Sequence, residues 1–215
     1  MKPDFFAELA AYVPADAREA EEKAVILDYA LRFPDTVLTR ENRVAHITSS
    51  AFVVNAAGNK TLMAHHIQRG VWAWPGGHAD GDANLLAVAL REAEEETGAA
   101  GLRPLSPHIA SLDVLHVHAH VKHGRWVSTH LHLSAAYLFV ADEAAPLAAR
   151  PARTRPWPGS RLRRSTKRTS VRMMHTFMAS WPRGRRLCSG RKERNERRGQ
   201  LGIAAPLFID MTLEA

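Results

Sequence analysis

Apolar residues recur at spacings of three and four before Pro34 and at alternate positions in several later segments, so helical and extended periods are both present. Residues 4–12 and 16–33 predict helices. In the second, Ala17, Ala20, Ala24, Leu27 and Leu31 form the apolar stripe, with charged residues mostly between them. Asp16 is the expected N-cap, Glu19 its capping-box partner, and Pro34 the stop. This reads as a packing helix covering one side of the domain. The period then changes. Residues 44–54 are β-branched and partly alternating, Asn55–Asn59 supply a turn containing Gly58, and Lys60–His66 resume a strand pattern, which together predict a hairpin.

Residues 71–77 (VWAWPGG) form an extended segment ending in a Pro-Gly-Gly stop, with Trp72 and Trp74 on one side of it. They read as core packing, and stacking on a substrate ring, assigned to Trp74, is the alternative. A loop rich in glycine and aspartate, from Gly76 to Asp82, leads into a helix predicted over about 84–97, with Asn84 as N-cap and Gly98 as stop. Its apolar stripe is Leu86, Ala89, Leu90, Ala93 and Thr97. Residues 108–140 then read as two strands turning at His123–Gly124. They carry His108, His116, His118, His120, His123, His130 and His132, with alternation that turns each group to one side of its strand.

Charge divides the chain. The net +7 averages two unlike parts: residues 1–149 hold 12 Lys+Arg against 18 Asp+Glu, a net −6, and residues 150–215 hold 17 against 4, a net +13. The expected organisation is a helical lead over 1–42, a catalytic domain over 43–149 and a basic tail over 150–215. A single cysteine, Cys188, excludes an internal disulfide framework. No apolar run reaches the ~18–20 residues of a membrane helix. The first residues lack a signal peptide's basic lead and long apolar core, so a cytoplasmic protein without a membrane partner is expected.

The chemistry concentrates on the predicted helix of residues 84–97. Glu92, Glu95 and Glu96 cluster on one face at spacings of three and four, which brings their Cβ atoms to about 5–6 Å. Such carboxylates repel one another unless something positive sits among them, and oxygen-rich sets suit hard divalent cations such as Mg²⁺ and Mn²⁺. Arg91, four residues before Glu95, is placed to brace it. A solvated acidic face would also account for a bare run of glutamates.

The wider pattern resembles a known family. Gly77, followed by Arg91-Glu92-Ala93-Glu94-Glu95-Glu96-Thr97-Gly98-Ala99, resembles the Nudix box, G-x5-E-x7-R-E-U-x-E-E-x-G-U with U a bulky apolar residue. WAWPGGH before the loop is similar to the approach to that box, and the resemblance covers roughly residues 43–140. One position departs: the glutamate expected six residues after Gly77 is Ala83, with Asp82 beside it and Asp80 in the same loop. The GGHADGD loop resembles a subgroup in which an aspartate-rich segment takes this place, which would let Asp82 fill the missing role.

The resemblance implies an α/β/α sandwich with a mixed sheet. It also implies hydrolysis, dependent on Mg²⁺ or Mn²⁺, of a phosphoanhydride bond in a nucleoside diphosphate linked to another moiety. Glu92, Glu95 and Glu96, with Asp82, would hold the metal, one of the three glutamates could instead take the proton from water as general base, and Arg91 counts with them among the catalytic residues. Gly76, Gly77, Trp74, His130 and His132 would meet the small-molecule substrate. The histidines read as a partly wet strand face lining the substrate cleft. Ordinary surface and a dedicated transition-metal site are the other readings.

After Ala149 no period persists. Arginine dominates, and no acidic residue occurs between Arg150 and Glu193. Either this is a basic arm for nucleic acid or another polyanion, or it is a disordered, non-native end such as a shifted reading frame of a GC-rich gene would give; the second is preferred. Neither the closing strand nor the closing helix of the family is visible there. The alternative function is therefore a non-catalytic Nudix-like module binding nucleotides or nucleic acid, anchored by the tail. Prenyl diphosphate isomerisation on the same fold would want a cysteine in the cleft, and Cys188 lies in the tail.

Overall fold

The computed structural model of the protein describes residues 4–66, 71–122, 124–147 and 207–210, with residues 65, 66, 71 and the last four described by backbone alone. Short polar side chains start both N-terminal helices. Asp4 accepts from the N–H groups of Phe6 and Ala7 at the head of α1, Phe5–Ala11. Asp16 accepts from Glu19 N at 2.8 Å at the head of α2, Ala17–Arg32. The Glu19 carboxylate takes the N–H of Ala15 at 2.7 Å, so the capping box closes one residue earlier than the sequence pattern implies.

The face that α2 buries differs from the predicted stripe. Glu19, Ile26 and Ala30 are buried, whereas Ala17, Ala20, Ala24 and Leu31 are exposed. An alanine methyl has little apolar surface to withdraw from water, so the branched Ile26 sets the helix rotation. Polar neighbours tolerate that rotation because they find partners: Glu22 accepts from Val114 N at 2.9 Å, and Lys23 Nζ donates to the carbonyls of Ala10 and Tyr12.

The expected hairpin forms from β1, Ala45–Asn55, and β2, Lys60–His66, with Gly58 at φ 68° in the turn. Two short strands follow: β3, Val71–Ala73, on β2, and β4, Gly76–His78, on β1. The box helix, α3, spans Leu85–Thr97. Asn84 accepts from Ala87 N at 3.1 Å, and Gly98 ends the helix in the left-handed region at φ 65°. Beyond it lie β5, Arg103–Pro104; β6, Ser111–Val117; β7, His120–Lys122; β8, Arg125–Val127; and β9, His130–Ala141.

Strand β9 is parallel to β1, from Ala45 opposite Leu131 to Asn55 opposite Ala141, and β5 and β6 flank β9 antiparallel. The sheet is therefore mixed. The two long strands predicted over residues 108–140 are interrupted. Pairing of Val117 with His130 uses up β9, so β7 and β8 pair only with each other in a separate ribbon that turns at Gly124. A closing strand, which no periodicity announced, is also present: β10, Leu207–Asp210, lies antiparallel to β2. Four residues are too few for an alternating pattern to register. The expectation that residues 150–199 stand outside the fold concerns residues that are not among those described.

One face of the sheet carries all three described helices. Phe5, Leu9, Ile26, Leu85 and Ala89 pack there with Ile47, Ala51, Leu133 and Tyr137, and the Tyr137 hydroxyl donates to Glu8 of α1 at 2.8 Å. The α/β class with a mixed sheet is as expected. Among the described residues all three helices lie over that one face, and the second face is free of described helices. That face bears Phe52, Val54 and Leu138 in a small cluster with Trp74, and the buried polar groups His46, Thr48 and His130.

Candidate active site and histidine cleft

Strand β4 sits between two clusters of side chains. On the helical side, Gly77 faces α3 so closely that a Cβ added there would fall within 3 Å of the carboxylate carbon and both oxygens of Glu92. Glycine is needed at this position for the approach, not for backbone freedom. One turn along α3, Glu96 Oε2 accepts from Gly76 N at 3.3 Å. Glu92 and Glu96 are half-buried and Glu95 is exposed. The structure thus brings Gly76, Gly77, Glu92 and Glu96 together, with Glu95 on the same helix. An oxygen-only donor set beside a glycine cradle fits a hard divalent cation.

Arg91 pairs with Asp82, Nη1 to Oδ2 at 3.3 Å. The same carboxylate accepts from Asn84 N at 2.9 Å, so Asp82 ties the loop to the start of α3. Asp80, two residues earlier, takes a left-handed φ of 48° and turns the other way, accepting two hydrogen bonds from Arg40, the Nε bond at 2.7 Å. The Arg40 guanidinium holds the Asp80 carboxyl below its ordinary range.

On the far side of β4, His78 points into a cleft of about 600 Å³ that also receives His46, His120, His130 and His132. Arg40, Arg43, Lys122 and Arg125 contribute to its wall, with Trp126 from the ribbon. The parallel register sets His46 opposite His132. His46 stacks on His130 with centroids 5.1 Å apart, and His78 lies 4.9 Å from His132. Burial, then the neighbouring Arg40 and His46, push the His78 imidazole down to about 3, and burial lowers His46 as well, so both are neutral near pH 7.

Of the sequence-predicted substrate contacts, His130 and His132 enter this cleft, on the sheet face opposite α3. Trp74 packs on Phe52 with centroids 4.7 Å apart. Of the other alternating histidines, His120 reaches the cleft, while His116 and His118 are exposed and meet each other at 4.4 Å. The sequence reading missed His46, His78 and Arg40. The two histidines gave only the signal of a polar position inside an extended segment, Arg40 in its turn gave none, and no local spacing links His46 to a residue 84 positions away.

Residues 44–158 match the model of the NUDIX domain, running past the boundary expected at 149. Among solved structures, the chain is similar to a Nudix-family hydrolase from Clostridium perfringens. The two are 18% identical over 49% of this chain and 73% of the other, with a TM-score of 0.35. It is also similar to an Ap4A hydrolase from C. elegans, at 17% identity over 48% and 71%, TM-score 0.34. A third similarity is to a bifunctional NMN adenylyltransferase/ADP ribose pyrophosphatase from Francisella tularensis, complexed with AMP and a manganese ion, at 19% identity over 60% and 37%, TM-score 0.34. No curated protein sequence matches the chain.

Proposed function

Because the chain belongs to the Nudix family, we propose that it hydrolyses a phosphoanhydride bond of a nucleoside diphosphate linked to another moiety, with Mg²⁺ or Mn²⁺ as cofactor, in a cytoplasmic setting. The observation that carries this reading is the packing of Glu92 against Gly77, with Glu96 fixed by Gly76 N–H, beside the exposed Glu95. Three mutually repelling carboxylates have little purpose in a module that only binds nucleotides.

Water attacks phosphorus, the P–O bond to the leaving phosphate breaks, and a carboxylate of α3 takes the proton that the water gives up. Glu92, Glu95 and Glu96 would hold a divalent cation, which when bound would supply charge that offsets the diphosphate and would make the attacking water more acidic. Gly77 keeps a side chain out of the space beside Glu92, and at Gly76 a Cβ would instead strike Ser49 O and Ser50 of β1. Asp82 takes the place of the glutamate absent at Ala83, as in the aspartate-loop subgroup. Its pairing with Arg91 and its acceptance of Asn84 N–H support that role, since both hold the loop against the helix start. His130, His132 and Trp74 remain the proposed contacts for the non-phosphate part of the substrate.

The test is a screen of dinucleoside polyphosphates, nucleotide sugars, ADP-ribose, oxidised nucleotides and capped RNA with Mg²⁺ and with Mn²⁺, following nucleotide and phosphate products. Turnover of at least one class, abolished by chelation, is expected. No product from any class with either ion would overturn the reading.

A further inference from the structure

The histidine cleft holds a ligand set that phosphoanhydride hydrolysis does not call for. One nitrogen from each of His46, His130 and His132 lies within 4.8 Å of the other two. Two of the three rings are oriented by the backbone: His46 Nδ1 is 2.9 Å from Asn42 O and His130 Nδ1 is 2.8 Å from Ser128 O. A carbonyl only accepts, so each Nδ1 carries the proton and each Nε2 presents a lone pair. Carbonyl-anchored imidazoles of this kind are the usual second layer behind metal-ligating histidines.

His46 is 5% exposed, and its Nε2 has no hydrogen-bond partner. A buried lone pair left unpaired is costly unless something else occupies it. The Nε2 atoms of His130 and His132 stand 3.3 Å apart. That is about the edge expected between two ligands at ~2.0–2.1 Å from one tetrahedral zinc-class ion. A proton shared between the two rings would also give this distance, but it leaves His46 Nε2 unexplained. We propose that His46, His130 and His132 form a second metal site, for a transition metal of the zinc class, with its fourth position open to the cleft.

An all-imidazole set selects such an ion over Mg²⁺, which prefers oxygen. The cations in the cleft wall do not exclude it: Arg40 is neutralised by Asp80, and an oxyanion or hydroxide in the open position would offset the rest. The site draws on none of the glutamates, but it shares His130 and His132 with the proposed contacts for the non-phosphate part of the substrate, which would then meet them through the ion's open position.

Full-length protein stripped with chelator and titrated with Co²⁺ tests it. One equivalent should give the visible d–d absorption of a four-coordinate nitrogen site, displaced by Zn²⁺ and unaffected by a large excess of Mg²⁺. His46→Gln and the less buried His132→Gln should each weaken Co²⁺ binding on the order of 100-fold, with circular dichroism confirming that the His132 variant is folded. His116→Gln and Glu95→Gln should leave the band unchanged, which separates this site from exposed imidazole pairs and from the carboxylates. Absence of the band, or its survival in His132→Gln, would overturn the proposal.

Discussion

The two sides of β4 use opposite chemistry and are assembled in opposite ways. Gly77 turns toward Glu92, on the helix that carries all three carboxylates, and His78, the next residue, turns toward imidazoles drawn from β1 and β9. The carboxylate side is anionic, partly wet and hard. The imidazole side is neutral at its centre, largely buried and soft. One strand thus faces two unlike clusters because successive side chains leave it in opposite directions. A substitution on one side should be readable without disturbing the other.

The largest effect is expected on the carboxylate side. Glu95→Gln and Glu96→Gln keep the helix and the side-chain shape while removing a charge from the proposed ion site. Turnover should fall on the order of 10²–10⁴-fold, with thermal unfolding and Co²⁺ absorption by the histidines unchanged. Activity near that of the parent protein in both variants would end the assignment of these glutamates.

Acid should act first on the other side. The His78 value of about 3 lies below the ordinary 6.5, because burial and then Arg40 and His46 disfavour its charged form. A depressed histidine contributes stability that is present above pH 6.5 and is lost as pH falls toward 3. Metal-free protein should therefore lose roughly 2–4 kcal/mol across that window, measured by urea unfolding at successive pH values, and His78→Phe should flatten the slope. An unchanged slope in that variant would remove His78 as its source.

Gly77→Ala gives a smaller change aimed at the point of contact. Its methyl would displace the far end of a flexible glutamate and not the backbone, so the cost should appear mainly in the site. About 10–100-fold lower turnover and weaker Mn²⁺ activation are expected, with a stability loss near 1 kcal/mol. Parent-level activity would show that the Glu92 position is immaterial.

The smallest effects should come from the loop that serves both sides. Asp82 holds Arg91 and the start of α3, whereas Asp80 holds Arg40 in the wall of the histidine cleft. Asp82→Ala should lower turnover several-fold and more than Asp80→Ala does, as a short carboxylate at a helix start contributes ~0.3–1 kcal/mol. Equal and negligible effects on turnover would show that the loop carboxylates do not support catalysis.

This asymmetry also explains what could be read in the sequence. The α3 cluster was legible because a helix converts spacing along the chain directly into distance, and Asn84 and Gly98 marked its ends. The β1–β2 hairpin was legible for a similar reason, through the turn at Gly58. The meeting of His46 with His130 and His132 was not, since it depends on a parallel pairing across more than eighty residues that no local pattern encodes. The rotation of α2 was misread because alanines count as apolar in a periodicity yet bury little. The short β10 was missed because its pairing with β2, not its own sequence, makes it a strand.

That last strand has a bearing on how the protein tolerates cutting. β10 covers Lys60–Met63 of β2 along the outer side of the sheet. A chain ended at Ala149 to discard its arginine-rich stretch would strip those backbone groups of their partner and leave a bare strand edge. Exposed edges of this kind recruit one another between molecules. Precipitation of such a truncated protein would then report a lost seam, and should not be mistaken for evidence that the basic residues keep the domain in solution.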